Sequence, residues 1–199
     1  GVDIEKFSPT PEPEGVPRVT FVSRMLWDKG VGDVVAAARL LRKRNIKVKF
    51  LLVGASDAAN PTAVPEAKLI AWDKEGVVDW WGQRDDIEEI WKQSHIAVLP
   101  TFYPEGLPKA LLEAAASGRP LISTDIGGCR DVVQHGKTGL LVKPHDPEGL
   151  ADAIESLVLN PQERTRLGKM ARLHVETQLS NQVVAEQMAD LYHSILQKN

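Results

Sequence analysis

Two carboxylates eight residues apart, Glu105 and Glu113, bracket a run that starts Gly106-Leu107-Pro108-Lys109 and continues into Ala110-Leu111-Leu112. Proline suits the first position of a helix, where its missing N–H costs nothing, so the run predicts a helix over Leu107 to Ser117. Gly106 and Leu107 then present backbone N–H groups at a helix N-terminus, a setting that favours an anion. At the helical rise per residue the two carboxylates stand up to about 12 Å apart. That is wider than the roughly 5–9.5 Å of a glycosidase pair, and it suits gripping two ends of one long ligand with phosphates between them. Glu113 is expected to point away from the apolar stripe of Leu107, Ala110, Leu111 and Ala114. Spacing alone leaves a second reading open, in which both are solvated helix charges.

A second cluster is Ser23-Arg24-Met25-Leu26-Trp27-Asp28-Lys29-Gly30. Arg offers a planar fork and Lys a point charge. On a loop leading into a helix start, the two with the helix dipole could neutralise a diphosphate. Taken singly, either cation could equally form a surface pair with Asp28.

The elements that must position these residues follow from hydrophobic pattern. Short apolar runs at Val19–Val22, Val48–Val53, Val77–Trp81, Ile96–Leu99, Pro120–Ser123 and Leu140–Val142 read as strands. Between and after them, helical patterns are predicted from Val31 to Arg44, Pro65 to Lys74, around Ile87 to Trp91, Leu107 to Ser117, Pro147 to Leu159, Gln162 to Thr177 and Ser180 to Leu196. Alternation of this kind predicts an α/β domain, a doubly wound parallel sheet of six strands with helices on both faces. Ligands in such sheets sit beyond the carboxyl ends of the strands, at the point where strand order reverses. The three expected units are an extended arm or linker over residues 1–17, with four prolines, a nucleotide-binding unit over 18–160, and closing helices over 161–199.

Other chemistries fail on spacing. Gly136-Lys137-Thr138 lacks the P-loop's first glycine, since that position is Asp131. Gly30-Val31-Gly32 lacks the third glycine of a dinucleotide fingerprint, which falls on Val35. No Asp-x-Asp or His-Glu-x-x-His sequence occurs and the five histidines are scattered, so no metal or other cofactor is expected. Cys129, Ser117, Ser123 and Thr124 have no nucleophile setting. His95 beside a strand, and Trp80, Trp81 and Trp91 around a strand and a helix, read as structural.

Composition narrows the class further. The 199 residues are 43% apolar and 26% charged, with a formal charge of −3 and one cysteine, which excludes disorder and a disulfide framework and suits a reducing compartment. No apolar run approaches the roughly 20 residues that span a bilayer, and no basic-then-apolar leader opens the chain. Charge is uneven: Arg18 to Lys49 carries nine cations and two acids, so the remaining residues sum to −10. Arg42, Lys43 and Arg44 fall at a helix C-terminus, far from the loop of Arg24. They are expected to be solvated helix-end charges, with an anionic-lipid contact second. A net-acidic remainder with no stacking platform speaks against nucleic acid.

The chain resembles the C-terminal, donor-binding domain of GT-B glycosyltransferases of family 4, also called group 1. The residues that carry the likeness are Gly1-Val2-Asp3 with Phe7 and Pro9, the Ser23–Gly30 loop, Trp81-Gly82 ahead of Asp86-Ile87, and the Glu-x7-Glu pair Glu105 and Glu113. Arg24–Gly30 and the loop around Asn60-Pro61 look most like enzymes that add N-acetylhexosamine during polysaccharide, O-antigen or glycan assembly. The resemblance implies a nucleotide-sugar donor, a UDP-sugar, and retention of anomeric configuration. It implies that Arg24 and Lys29 hold the diphosphate, that Gly106 and Leu107 give N–H groups to a phosphate, and that Glu113 takes the ribose hydroxyls. Glu105 would contact the transferred sugar, and Gly82, Gln83 and Arg84 would edge the nucleobase. Lys109 and Ala110 fill slots that vary in the family. The resemblance further implies an N-terminal acceptor-binding domain missing from this chain, a lipid-linked saccharide as acceptor, and a cytoplasmic location with peripheral association at the inner membrane face left open. The rivals are a non-catalytic doubly wound phosphate-binding module and a Rossmann dehydrogenase or epimerase, the latter weakened by the failed glycine fingerprint.

Overall fold

The computed structural model describes residues 1–104 and 106–196; Glu105, one of the two carboxylates, and residues 197–199 lie outside the described residues. Six strands form one sheet: β1 (Arg18–Val22), β2 (Lys49–Val53), β3 (Asp79–Trp80), β4 (Ile96–Leu99), β5 (Leu121–Thr124) and β6 (Gly139–Val142). The order is β3-β2-β1-β4-β5-β6, and every neighbouring pair is parallel. Parallel pairing requires a crossover after each strand. The helices are α1 (Val31–Lys43), α2 (Glu66–Lys74), α3 (Ile87–Lys92), α4 (Lys109–Ala116), α5 (Gly127–Val132), α6 (Pro147–Val158), α7 (Pro161–His174) and α8 (Asn181–Leu196), with a π turn at Val175–Leu179 joining the last two. The first two crossovers run outward from β1 to β3 and the later ones run the other way. Right-handedness therefore puts their helices on opposite faces: α1 packs on α6, and α4 on α3 and α7.

The four inner strands read as apolar runs because both faces are covered. Val19, Phe21, Leu52, Ile96, Leu121 and Ile122 are all fully buried. The polar residues among them are paired: Thr20 Oγ1 lies 2.7 Å from Ser94 Oγ, which donates to Ile90 O at 2.7 Å. His95 is structural, as expected, accepting from the Arg18 backbone N–H at its Nδ1 (3.0 Å).

Three local readings need correction. The α5 turn was not foreseen: Gly127-Gly128 is a poor helix start, but burial of Cys129 and Val132 holds it. Pro108 stands one residue before α4 in an extended conformation (φ −63°, ψ 113°), so the helix begins at Lys109. Trp81 is no core residue. It is 38% exposed, with the Arg18 and Arg84 guanidinium groups 5.8 and 5.7 Å from its ring centroid. The helix-end cations Arg42, Lys43 and Arg44 are exposed, as expected, and form surface pairs: Arg39 and Arg42 share Glu75 (2.6 and 3.0 Å), and Arg44 meets Asp152 and Glu155 (both 2.7 Å).

Residues 1–17 are bound to the closing helices. Val2 N–H donates to Leu179 O (3.0 Å), Val2 O accepts from Asn181 N–H (2.9 Å), and Phe7 is buried. Arg172 Nη1 donates to the carbonyls of Ile4 (3.1 Å), Phe7 (2.7 Å) and Ala116 (2.7 Å). Among the described residues no helix is long and apolar enough to cross a membrane.

Candidate functional site

Strand order reverses between β1 and β4, so the crevice at the carboxyl ends of these two strands is the default ligand position. The loops there are locked to one another. Phe102 N–H and Thr101 Oγ1 both donate to Asp28 O (3.0 and 3.1 Å), which ties the loop after β4 to the loop after β1. Gly30 has φ 80° and lies so close to Pro100 that an added Cβ would meet its carbonyl oxygen at 2.1 Å. The loop after β2 joins through Met25 N–H to Ala55 O (2.9 Å), and the loop after β3 through Gly54 N–H to Gly82 O (2.7 Å).

This framework puts Arg24 and Gln83 in one cavity and Arg84 and Glu113 in another, while Lys29, Gly82, Gly106 and Leu107 line neither. Arg24 lines one of about 460 Å³, with Gly54, Ser56, Asp57 and Gln83. Its exposed guanidinium pairs with Asp57 (2.9 Å), not with Asp28, whose Oδ2 accepts from Thr62 Oγ1 (3.1 Å). Lys29, at the other end of the loop, places its Nζ 5.7 Å from the Tyr103 ring centroid. Glu113 lines a second cavity of about 480 Å³, with Lys6, Arg84, Lys109 and Asn181. Gln83 faces one cavity and Arg84 the other, so the loop that starts at Gly82 is the wall between them. Arg84 is held by a bidentate pair with Asp86 (2.8 and 2.6 Å). Gly106 and Leu107 precede α4 as expected, and Leu107 is exposed, not part of an apolar stripe.

Glu113 departs most from expectation. It does not project into solvent: it is 7% exposed, because α4 is covered on nearly all sides and every residue from Leu111 to Ala116 is buried. Burial pushes its carboxyl above the ordinary carboxylate range, opposed by Lys109, whose Nζ lies 3.6 Å from Oε1, and by the nearby Trp91 indole. That indole N–H is itself buried without a well-formed hydrogen bond. A carboxylate in such a place has spare acceptor capacity and few local donors.

Sequence reasoning missed several of the residues beside these two carboxylate and cation positions. Lys109, read as a variable slot, is the ion partner of Glu113, and its position four residues earlier on the helix was the available signal. Lys6 and Asn181 reach the Glu113 cavity only because residues 1–7 and the start of α8 fold over α4. Asp57 reaches Arg24 across two loops. Nothing local marks these three. Among the described residues no group of three or more His, Cys, Asp or Glu side chains could hold a metal ion.

Residues 2–174 match the family model of glycosyl transferases group 1. The chain belongs to this family. One relative is the N,N'-diacetylbacillosaminyl-diphospho-undecaprenol alpha-1,3-N-acetylgalactosaminyltransferase of Campylobacter jejuni subsp. jejuni serotype O:2, 31% identical over 90% of this chain and 45% of its own length. The chain thus spans about half the length of the curated group 1 relatives it matches. Among solved structures, sucrose-phosphate synthase from Thermosynechococcus elongatus superposes with a TM-score of 0.86 at 28% identity, over all of this chain and 52% of that one. HepE of Anabaena, solved in complex with UDP, gives 0.84 at 21% identity over 98% of this chain and 56% of its own, a likeness of fold alone.

Proposed function

We propose that this chain is the donor-binding half of a group 1 glycosyltransferase, taking a UDP-sugar and serving retaining glycosyl transfer in glycan assembly. The observation that carries the reading is Glu113, a buried carboxylate on the helix after β4, in a cavity divided from that of Arg24 by the loop of Gln83 and Arg84. A core has no use for a desolvated carboxylate. A ribose does, since its two adjacent hydroxyls donate to one carboxylate. In this reading Glu113 takes those hydroxyls, the wall of Gly82, Gln83 and Arg84 edges the base, and the diphosphate runs towards Arg24, Lys29 and the N–H groups of Gly106 and Leu107. Arg24 and Lys29 stabilise the charge that develops on the departing nucleoside diphosphate, and Glu105 contacts the sugar. Transfer then calls for a second, N-terminal domain that binds the acceptor. The name of the Campylobacter relative supports a lipid-linked saccharide in that role, and in this reading the whole enzyme works at the inner face of the cytoplasmic membrane.

Calorimetric titration of the 199-residue chain with UDP, GDP and ADP tests this. Saturable binding, tightest for UDP, is expected, and the absence of binding by every nucleoside diphosphate sinks the reading. Arg24→Ala is expected to weaken UDP about tenfold, the low end for a charged hydrogen bond because the side chain is exposed. Lys43→Ala, at the far end of α1, is expected to leave the affinity unchanged.

A further inference from the structure

A third cavity lies at the opposite edge of the sheet, before β4 and β5, beneath residues 9–12 of the arm. Its volume is about 290 Å³, and its walls include His95, Arg119, Arg164, Lys169 and Arg172. Two guanidinium groups there are buried, Arg119 at 3% and Arg164 at 5% exposure. Arg164 takes both oxygens of Glu12 and uses its remaining Nη1 on the carbonyls of Leu157 (2.7 Å) and Val158 (2.9 Å), so each of its three nitrogens is hydrogen-bonded. Arg119 has no carboxylate within hydrogen-bond reach, and Glu12 acts on it only through space. Its Nε donates to Trp91 O (2.9 Å) and its Nη2 to Thr10 Oγ1 (2.6 Å), with Pro11 O and Lys92 O further off at 3.5 and 3.4 Å. Its Nη1 makes no hydrogen bond among the described residues. Arg172 is paired with Glu176, and Lys169 is exposed at the rim.

The charge count is therefore uneven. Two buried guanidinium groups share the one carboxylate of Glu12, and a further lysine stands at the mouth. A buried cation without a counter-ion is costly, and Arg keeps its charge even so. His95 does not add a charge: burial holds its imidazole below the ordinary histidine value. Carbonyl oxygens satisfy part of Arg119 but carry no net charge, and the cavity beside it is large enough for a tetrahedral ion.

We infer that this cavity is a second ligand site, which takes a small oxyanion of the phosphate class between the Arg119 fork, Lys169 and the arm at Thr10 and Pro11. The site is separate from the nucleotide crevice, since its residues precede β4 and β5 where the nucleotide loops follow β1 and β4. Occupancy would fasten the arm to α7 through a shared anion, in addition to the Glu12–Arg164 pair.

Amide NMR of the intact chain, titrated with inorganic phosphate against chloride at matched ionic strength and with UDP present throughout, decides it. Saturable shifts at Thr10, Gly118, Arg119 and Thr165 are expected, with a Kd tighter than about 1 mM. Lys169→Ala is expected to weaken phosphate about threefold and Arg119→Gln at least about tenfold, while UDP affinity is unchanged in both. Because Arg119→Gln removes buried hydrogen bonds, the exposed Lys169 variant keeps the test open should the first fail to fold. No saturable shift, shifts confined to the loops of Arg24 and Gly106, or a Lys169→Ala affinity equal to the parent's overturns the inference. Failure of UDP to bind would leave these shifts readable and bears only on the donor-site reading.

Discussion

Glu113→Gln is expected to lower UDP affinity by about ten- to a hundredfold and at the same time to raise the melting temperature. The first effect follows from replacing a charged acceptor of two hydroxyls with a neutral amide, which offers one acceptor and two donors, since hydrogen bonds to charged groups contribute about 1.5–3 kcal/mol. The second follows from the burial that holds the Glu113 carboxyl above its ordinary range. A group whose folded-state pKa is raised binds its proton more tightly when folded. Its stabilisation is complete below the unfolded carboxylate pKa and is lost as pH rises through the folded value. At neutral pH the native chain therefore carries the cost of the ionised form, which glutamine removes. The stability of the parent is accordingly expected to fall across that acid-to-neutral window, and that of Glu113→Gln to fall less. Thermal melts from pH 4 to 8 beside UDP titrations read both quantities. A variant that loses stability and keeps its affinity would identify Glu113 as a packing residue only. Function held at the expense of stability is the usual pattern at binding sites, and it separates the donor-site reading from a structural ion pair with Lys109.

The second large effect belongs to Gly54, at the turn after β2. Its φ of 143° is one that side chains rarely adopt, and an added Cβ would sit 1.8 Å from the carbonyl oxygen of Ser23. Both partners are backbone at the ends of paired strands, so neither can yield as a flexible side chain would. Gly54→Ala is expected to cost about 3 kcal/mol or more, a drop in melting temperature of roughly 6–12 °C for a chain of this size. The displaced segment, Ser23-Arg24, is the one on which the diphosphate reading rests, so whatever folds should also bind UDP more weakly. Gly76→Ala is the control. Gly76 also has positive φ (68°) but nothing within 4 Å of an added Cβ, and is expected to cost only about 1 kcal/mol. Equal melting temperatures for the two variants would mean that the loops after β1 and β2 are not locked together as their hydrogen bonds indicate.

Much of the framework was legible in local pattern. All six apolar runs contain a strand of the parallel sheet, and the four inner ones are apolar because both their faces are covered, whereas the edge strand β3 shortens to Asp79–Trp80 and is only partly buried. The two clusters that could do chemistry, around Arg24 and around Glu113, were placed after β1 and β4 by counting alone, and the reversal of strand order falls between those two strands. The misreadings share one origin. Pro108 is assigned to the first helical position and Trp81 to the core by residue type alone, whereas α4 begins one residue later and Trp81 stays 38% exposed; Arg42 and Arg44 are exposed as expected, but with partners distant in sequence. Glu75 and Asp152 collect the arginines, and Arg84 covers Trp81.

Glu113 makes the division plain. Its position on a helix behind a strand, eight residues after Glu105, is a property of the chain and was readable in the residues themselves. Its burial, its raised carboxyl and its neighbours Lys6, Arg84 and Asn181 belong to the tertiary structure, because those neighbours come from three stretches of chain apart from its own. The same holds for the cavity under the arm, where Glu12 meets Arg164 across 152 residues. Periodicity and turn chemistry act over a few residues, so sequence alone determined the strands, the helices and the loops that carry charge. Desolvation and charge balance depend on whatever packs around a group, and only the closed fold decided which charges would be buried and beside what.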